Sequence, residues 1–563
     1  MNKMFKRIIS IVVAFSIVFS VSGLTVSPYA VKNNSGNSQP YVSNAVQSTR
    51  SSNLGDSLID SFMRVFCNTL DVVVNVIIGE IVNLFPEVEL ESGEDYVNES
   101  FFVGHENFLT SPAQDAVWRL GYSSASIIPK NMMTKDYYFG GFMFPLEPAR
   151  TIADDQRVRV ICIDDGSGRG TTAFASIDAV GLGNGDVTAI RALLKDFARE
   201  NNIVSINISC THAHSCIDTQ GLSGKFIVSA ITNAVYTKYG FLNGKITSGR
   251  DEEFMSVLYS KTVQSVKDAF NSMKEGNLYF STVDVSEYIR DKRDPQVFDP
   301  NINSLHFVPN DSSRDVWIAN LGAHPTSLSR ESTSISADFP HYMEQAVNEY
   351  ANADFIFFQG AQGAIATNRG VFNTTGEMTG YEVMTAMGRE FGRLMIQEGT
   401  QEVKLEPLFN IRHREVFVPA TNPIMELVLK AQLVNNIAVN TENGPKIATE
   451  VGYAEFGTSL ATAILPGEFF PEIVWGGTFG ADKAWNKVEF DRPSIQEIIG
   501  ENRKVVAFGL SNDAAGYVVP DNDYAPFIAD FLGYDHYEET LSGGSQMAST
   551  IVDAFELLVN STN

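Results

Sequence analysis

The chain alternates between two hydrophobic rhythms. From Ile203 to Cys210, Val204, Ile206, Ile208 and Cys210 alternate with Ser205, Asn207 and Ser209, the period of a half-buried strand. Apolar runs at 157–164, 172–180, 316–321, 355–358, 459–465 and 505–510 predict further strands. Between them the spacing lengthens. Ile190, Leu193, Leu194 and Phe197 fall on one helical face behind Asp186, which is expected to cap that helix. Helices are also expected over 252–273, 340–350 and 381–397. This alternation predicts an α/β fold, a mixed sheet with flanking helices, occupying 101–563.

The first hundred residues follow other rules. Over 58–85 the chain is mostly apolar, but Asp60, Arg64, Asn68, Asp71, Asn75, Gly79 and Asn83 recur every three or four places. That is a narrow polar stripe on an amphipathic helical segment, placed in 58–100. Two readings stay open: a helix packed on the main body, or a lid making peripheral membrane contact. Residues 31–57 are rich in Asn, Ser, Gln and Gly and read as a flexible linker. Lys3, Lys6 and Arg7 precede an apolar run from Ile8 to Val21 and small residues up to Ala30, the pattern of a signal peptide over 1–30. The run is short for a membrane span, so a secreted or cell-surface protein is expected.

Composition narrows the partners. Of 563 residues, 44% are hydrophobic and 19% charged, a globular mix. Lys and Arg number 41 against 67 Asp and Glu, a net charge of −26, which would repel a phosphate backbone and excludes nucleic acid. Four cysteines are too few for a disulfide scaffold of this size, though Cys210 and Cys216 could close one loop.

Candidate chemistry gathers after the strands. His212 and His214 lie in Thr211-His212-Ala213-His214-Ser215, just past Cys210, and residues two apart in an extended segment share a face. His324 follows the 316–321 run, and Glu468 follows 459–465 in a Pro466-Gly467-Glu468 turn. Open α/β sheets bind ligands beyond the carboxyl ends of their strands. One or both of His212 and His214, with His324 and Glu468, would suit zinc with a position open to water. Taken singly, each group also reads as an ordinary polar turn.

Four motifs in order resemble the neutral/alkaline (non-lysosomal) ceramidases. They are Thr211-His212-Ala213-His214-Ser215, Gly322-Ala323-His324-Pro325-Thr326-Ser327, Pro466-Gly467-Glu468-Phe469 and Asn512-Asp513-Ala514-Ala515-Gly516-Tyr517. Residues 121–129 resemble the opening strand of that family's catalytic domain, so the likeness runs from about Trp118 onward, and the family's C-terminal immunoglobulin-like domain is not expected. The resemblance implies a zinc-hydrolase-like domain in which His212, His324, Glu468 and Tyr517 hold Zn2+ and His214 is a catalytic neighbour. No other cofactor is called for. The family's Gly-Asp-Val-Ser-Pro-Asn motif is matched by Gly363-Ala364-Ile365-Ala366-Thr367-Asn368, so Ala366 stands at the serine and Ala364 at the aspartate.

Other residues carry two readings each. Asp178 is a strand-end turn or an outer partner of the site; Asp338 is a helix N-cap or the family's aspartate; Arg369 is a solvated loop residue or an anion-binding group. The expected function is secreted hydrolysis of an amide (N-acyl) bond in a small-molecule or lipid substrate by metal-activated water. The competing expectation is an inactive, metal-containing lipid- or glycan-binding protein on the same fold.

Overall fold

In the computed structural model the described residues are 63–68, 70, 90–141, 147–223, 250–328, 332–430, 433–526, 528–531, 534 and 536–562. The expected signal peptide and linker lie outside them, as does most of the 58–85 segment, of which 63–68 and 70 are helical. The chain divides into two compact units: 1–81 with 525–540, and 82–524 with 541–563. In the first, a short helix, Ile528–Phe531, is also described. No helix among the described residues is long and apolar enough to cross a membrane.

The main elements of the second unit begin with β1 (Trp118–Ser126), β2 (Arg157–Asp164), β3 (Thr171–Ile177), α1 (Asn184–Glu200), β4 (Ile203–Cys210) and α2 (Glu252–Asn271). Next come β5 (Lys274–Asp284), β6 (Ile289–Asp291), β7 (Asn301–Pro309), β8 (Val316–Leu321), α3 (Phe339–Ala351), β9 (Asp354–Gln359), β10 (Ile365–Thr367) and α4 (Gly380–Gln397). The chain then forms β11 (Val403–Leu405), β12 (Phe409–Pro419), β13 (Ala438–Thr441), β14 (Gly444–Phe456) and β15 (Leu460–Ile464). It closes with β16 (Glu468–Phe469), β17 (Lys504–Phe508), β18 (Tyr517–Val518) and α5 (Met547–Asn560).

A larger sheet runs β9-β8-β7-β5-β1-β2-β3-β4, with β11 beside β5. Only its outermost pairs, β9 with β8 and β3 with β4, are parallel; the rest are antiparallel. A smaller sheet contains β13, β14, β15 and β17, with β12 along β14, and its β15–β17 pair is parallel. The expected mixed α/β architecture is therefore what forms.

Strand alternation divides the core into layers. Val316 and Ile318 join Phe174, Phe358, Phe456 and Phe508 in the layer shared by the two sheets. Trp317, Ala319 and Leu321, pointing the other way, pack with Phe339 and Met343 of α3 and Met387 and Phe391 of α4. Val187, Ile190 and Leu194 of α1 and Phe254 and Leu258 of α2 cover β2, β3 and β4. Within the inter-sheet layer the Phe358 and Phe508 rings stack at 4.4 Å, and Phe174 meets both edge-on at 6.2 and 6.1 Å.

Two local expectations change. Asp186 does not cap α1: the N-cap is Gly183, and the fully buried Asp186 carboxylate accepts from Arg250, Tyr259 and Asn435. Tertiary donors outcompete the local cap. Asp178 does sit in the bend directly after β3, but it is fully buried, and its Oδ2 accepts from the Arg157 N–H at 2.8 Å and from Arg159 Nη1 at 2.9 Å. The long strands β5, β7, β12 and β14 were not among the sequence expectations. In β14 the reason is visible: Glu450 and Glu455 interrupt its apolar rhythm although both are buried.

Glu450 is tolerated because Arg191 of α1 grips it with two bonds of 2.7 and 2.8 Å, while Asn512 donates a third at 2.7 Å. Removing one partner of a buried pair strands the other charge, at a cost of about 3–5 kcal/mol. Glu450→Ala should therefore lower stability by about that much in urea unfolding. An Arg191→Met/Glu450→Met double variant should lose less. A single-variant loss below about 1 kcal/mol, the value of an exposed pair, would refute this account.

Candidate metal centre

Each candidate ligand is placed by the end of a strand. His212 lies two residues beyond β4, and its N–H bonds to the Ala179 carbonyl just past β3 at 2.9 Å. Its φ of 65° is left-handed, a conformation that a non-glycine side chain holds only when its surroundings enforce it. His324 lies three residues beyond β8, with its N–H on the Ile365 carbonyl at 3.1 Å. Glu468 and Tyr517 are direct partners in the short parallel ladder of β16 and β18. That ladder needs glycine before each ligand: Gly467 and Gly516 have φ of 130° and 93°, and a Cβ on either would collide with a neighbouring carbonyl.

The four side chains converge. Glu468 Oε2 lies 3.2 Å from His212 Nε2 and 3.1 Å from His324 Nε2. Tyr517 Oη is 3.3 Å from His324 Nε2. His214 Nε2 is 3.1 Å from His212 Nε2. All but the half-buried His214 are buried.

Tautomers follow from the other ring nitrogens. His212 Nδ1 contacts the Val180 carbonyl at 2.6 Å, and His324 Nδ1 contacts the Ile365 carbonyl at 2.8 Å. Carbonyls only accept, so both Nδ1 atoms carry hydrogen and the neutral rings aim Nε2 lone pairs at the carboxylate. Acceptors facing acceptors at this range need a proton or a cation among them. The donor set of imidazole nitrogens, one carboxylate and one phenol suits a cation of zinc type. His212, His214 and His324 each offer a ring nitrogen within 4.8 Å of the others, so a metal ion can be held here.

The electrostatics agree. Burial would raise the Glu468 carboxyl, but His212 and His324 together hold it well below the usual carboxylate range. Burial pulls His324 down, and His214 falls well below the ordinary value through burial and its two imidazole neighbours. His212 alone moves up, because the Glu468 carboxylate overcomes its burial.

Two supports escaped the sequence reading. The fully buried Gln359, last residue of β9, donates Nε2 to the Thr211 and Ala323 carbonyls at 3.1 and 2.9 Å. Its Oε1 accepts from the Ala323 and Gly360 N–H groups, both at 3.1 Å. One amide thereby fixes the residue before His212 and the residue before His324. Gly141 is the second, lying so close on His214 that any Cβ would overlap the ring. Asp338, expected as an N-cap, does cap α3, and its carboxylate also accepts from the Ser327 N–H and hydroxyl at 2.7 and 2.8 Å. Ala366 lies beside the cluster, bridged to His324 in parallel pairing. Cys210 and Cys216 are free buried thiols.

Two solved structures share this arrangement of elements. A neutral ceramidase from Pseudomonas aeruginosa superposes with a TM-score of 0.57 at 17% identity, over 79% of this chain and 74% of that one. A ceramidase complexed with C2 superposes with a TM-score of 0.56 at 14% identity, over 79% of this chain and 75% of that one. No protein-family model matches the chain, and no curated protein matches its sequence. The fold is thus mixed α/β, and it is similar to the fold of these two ceramidases, the family that the sequence motifs resemble.

Two measurements probe Gln359 and the buried Asp513 near the cluster. Gln359→Leu should weaken metal binding about 10–100-fold in chelator competition, the usual effect of losing a group that orients ligands. Unchanged affinity would show that the amide is dispensable. Burial also pushes the Asp513 carboxyl up to about 7, against about 3.9 in an unfolded chain. The folded state then keeps a proton that the unfolded state releases, so this contribution is full below about pH 4 and is lost as pH rises through 7. Asp513→Asn, which mimics the protonated acid, should flatten the fall in melting temperature between about pH 4 and 7. An unaltered pH profile would contradict the assignment.

Proposed function

We propose that the protein is a zinc-dependent hydrolase of an amide bond in an N-acyl compound, with a lipid acyl chain as the natural candidate. The observation that carries this reading is the Glu468 carboxylate facing two Nε2 lone pairs at 3.1 and 3.2 Å, with Tyr517 alongside. His212, His324, Glu468 and Tyr517 would hold the ion. Zinc in such a site polarises a carbonyl and lowers the pKa of water toward neutrality.

The chain's own groups do the rest. His214, half-buried beside His212, would take a proton at its imidazole from a water entering the cluster and return it to the leaving amine. Its backbone N–H bonds to the Pro325 carbonyl, which ties the ring to the His324 loop. Ala366 offers no hydroxyl, so attack by a serine is replaced by attack of water. The basic start and apolar run of the first thirty residues support export to the outside of the cell. The missing hydroxyl at 366 also favours a second reading, binding without turnover.

Metal content by mass spectrometry, on wild type beside His324→Ala, tests the first reading. About one zinc per chain, lost in the variant, is expected. His212→Ala should abolish both bound zinc and hydrolysis across an N-acyl panel, whereas Ala366→Ser should keep turnover. A wild type that takes up no metal when zinc is supplied would refute the hydrolase. Full zinc occupancy without product from any N-acyl or ester substrate would establish the binding protein instead.

A further inference from the structure

His324, Ala366 and Arg290 stand in a row. Ala366 forms a parallel bridge with His324 on one side and is the direct antiparallel partner of Arg290, in β6, on the other. Directly paired residues project to the same face of a sheet, so these three side chains share a face, with only the Ala366 methyl in the middle. Lys292 is two residues beyond Arg290, with its N–H on the Ala364 carbonyl at 3.0 Å.

A third cation closes the group. Arg369 opens the helical turn Arg369–Phe372, three residues after Ala366. Its Nη2 lies 3.4 Å from the Thr326 hydroxyl, two residues past His324. It is half-buried, and among the described residues no carboxylate lies within ion-pair distance of it. Burial draws its guanidinium below the usual arginine value; Asp338 opposes this from further away, and Arg290 adds to it by repulsion. A half-buried guanidinium with no carboxylate of the described residues at ion-pair distance is a favourable place for an anion to bind. That three cations assemble here is the more telling in a chain of net charge −26.

The geometry points to a substrate bearing an anionic group, a carboxylate or a phosphate, seated over Ala366 between Arg290, Lys292 and Arg369, about 5–10 Å or one to two strand spacings from the His324 cluster. The substrate class is then an anionic N-acyl compound, such as an acylated amino acid or an acylated amino-alcohol phosphate. The identity of the cleaved bond rests on the amide-hydrolase reading; the binding of the anion does not.

The test is calorimetric binding to the full-length protein of three probes that resist cleavage: N-dodecylsulfonyl-glycine, N-dodecylsulfonyl-phosphoethanolamine and neutral N-dodecylsulfonyl-ethanolamine. Metal content is measured on the same samples. At least one anionic probe should bind about tenfold or more tightly than the neutral one, as one charge-assisted hydrogen bond would give, and the tighter of the two identifies the anion. Raising the salt to about 0.5 M should narrow the ratio. Arg369→Gln and Arg290→Gln, each confirmed folded by circular dichroism, should cut it about fivefold or more. Equal binding of all three probes, or a ratio that survives in both folded variants, would overturn the inference. Anion-selective binding without metal or turnover would refute the hydrolase and leave this site standing. Zinc and turnover with no preference for anions would do the reverse.

Discussion

Everything at this site hangs on the segment from Ala507 to Asn512, which ties together two sheets that share no strand. The Ala507 carbonyl accepts from the Asn320 amide of β8 at 2.8 Å, and the Gly509 N–H donates to the Gln359 carbonyl of β9 at 2.9 Å. The Leu510 carbonyl accepts from Cys210 at the end of β4, while the Leu510 N–H reaches Gly467, the residue before Glu468. The Asn512 N–H bonds to the Ile208 carbonyl at 2.7 Å, and its side chain takes the Ile208 N–H at 2.9 Å. Buried backbone groups must find partners, so a shift of this segment would leave several unmatched at once. The left-handed φ of Leu510 and Asn512, 47° and 65°, is held in place by these bonds.

The strands that deliver the ligands were legible because their rhythm is strong and local. Val204, Ile206 and Ile208 announce β4, and the 316–321 run announces β8, so His212 and His324 could be set at strand ends from sequence. Glu468 stood out only as a turn, and Tyr517 only through its motif. Gln359 could not be read at all. Its partners, Thr211 and Ala323, lie 148 and 36 residues away, and a polar residue closing an apolar run gives no sign that its amide will be fully buried. The same distance in sequence hid the true setting of Asp186, whose partners Arg250, Tyr259 and Asn435 lie 64 to 249 residues off. Local chemistry proposes a cap; a distant guanidinium decides otherwise.

The contrast between Glu450 and Arg369 shows how differently the molecule treats buried charge. Glu450 receives two bonds from Arg191 and one from Asn512, a closed arrangement in which the charge is matched inside the protein. The Arg369 guanidinium has one hydrogen-bond partner among the described residues, the Thr326 hydroxyl. Both are ionised side chains at least partly withdrawn from water, but only the second is without a carboxylate at ion-pair distance among the described residues. Incomplete charge beside a cluster of metal-ligand type is where recognition of a charged group would be built.

The alanine at 366 is easier to reconcile with an intact metal centre once backbone and side-chain roles are separated. What His324 needs from this loop is the carbonyl of Ile365, which accepts from both its N–H and its Nδ1 and so fixes the ring's tautomer and orientation. That carbonyl belongs to the backbone, and the pairing of β10 with β6 holds it whatever side chain stands at 366. The frame that positions the ligands is therefore independent of the group that projects over them. A hydroxyl can be exchanged for a methyl without moving His212, His324, Glu468 or Tyr517, and the space above the methyl then passes to the cations on the neighbouring strand and turn. The same fold can in this way keep the frame around His212, His324, Glu468 and Tyr517 while changing the side chain beside it.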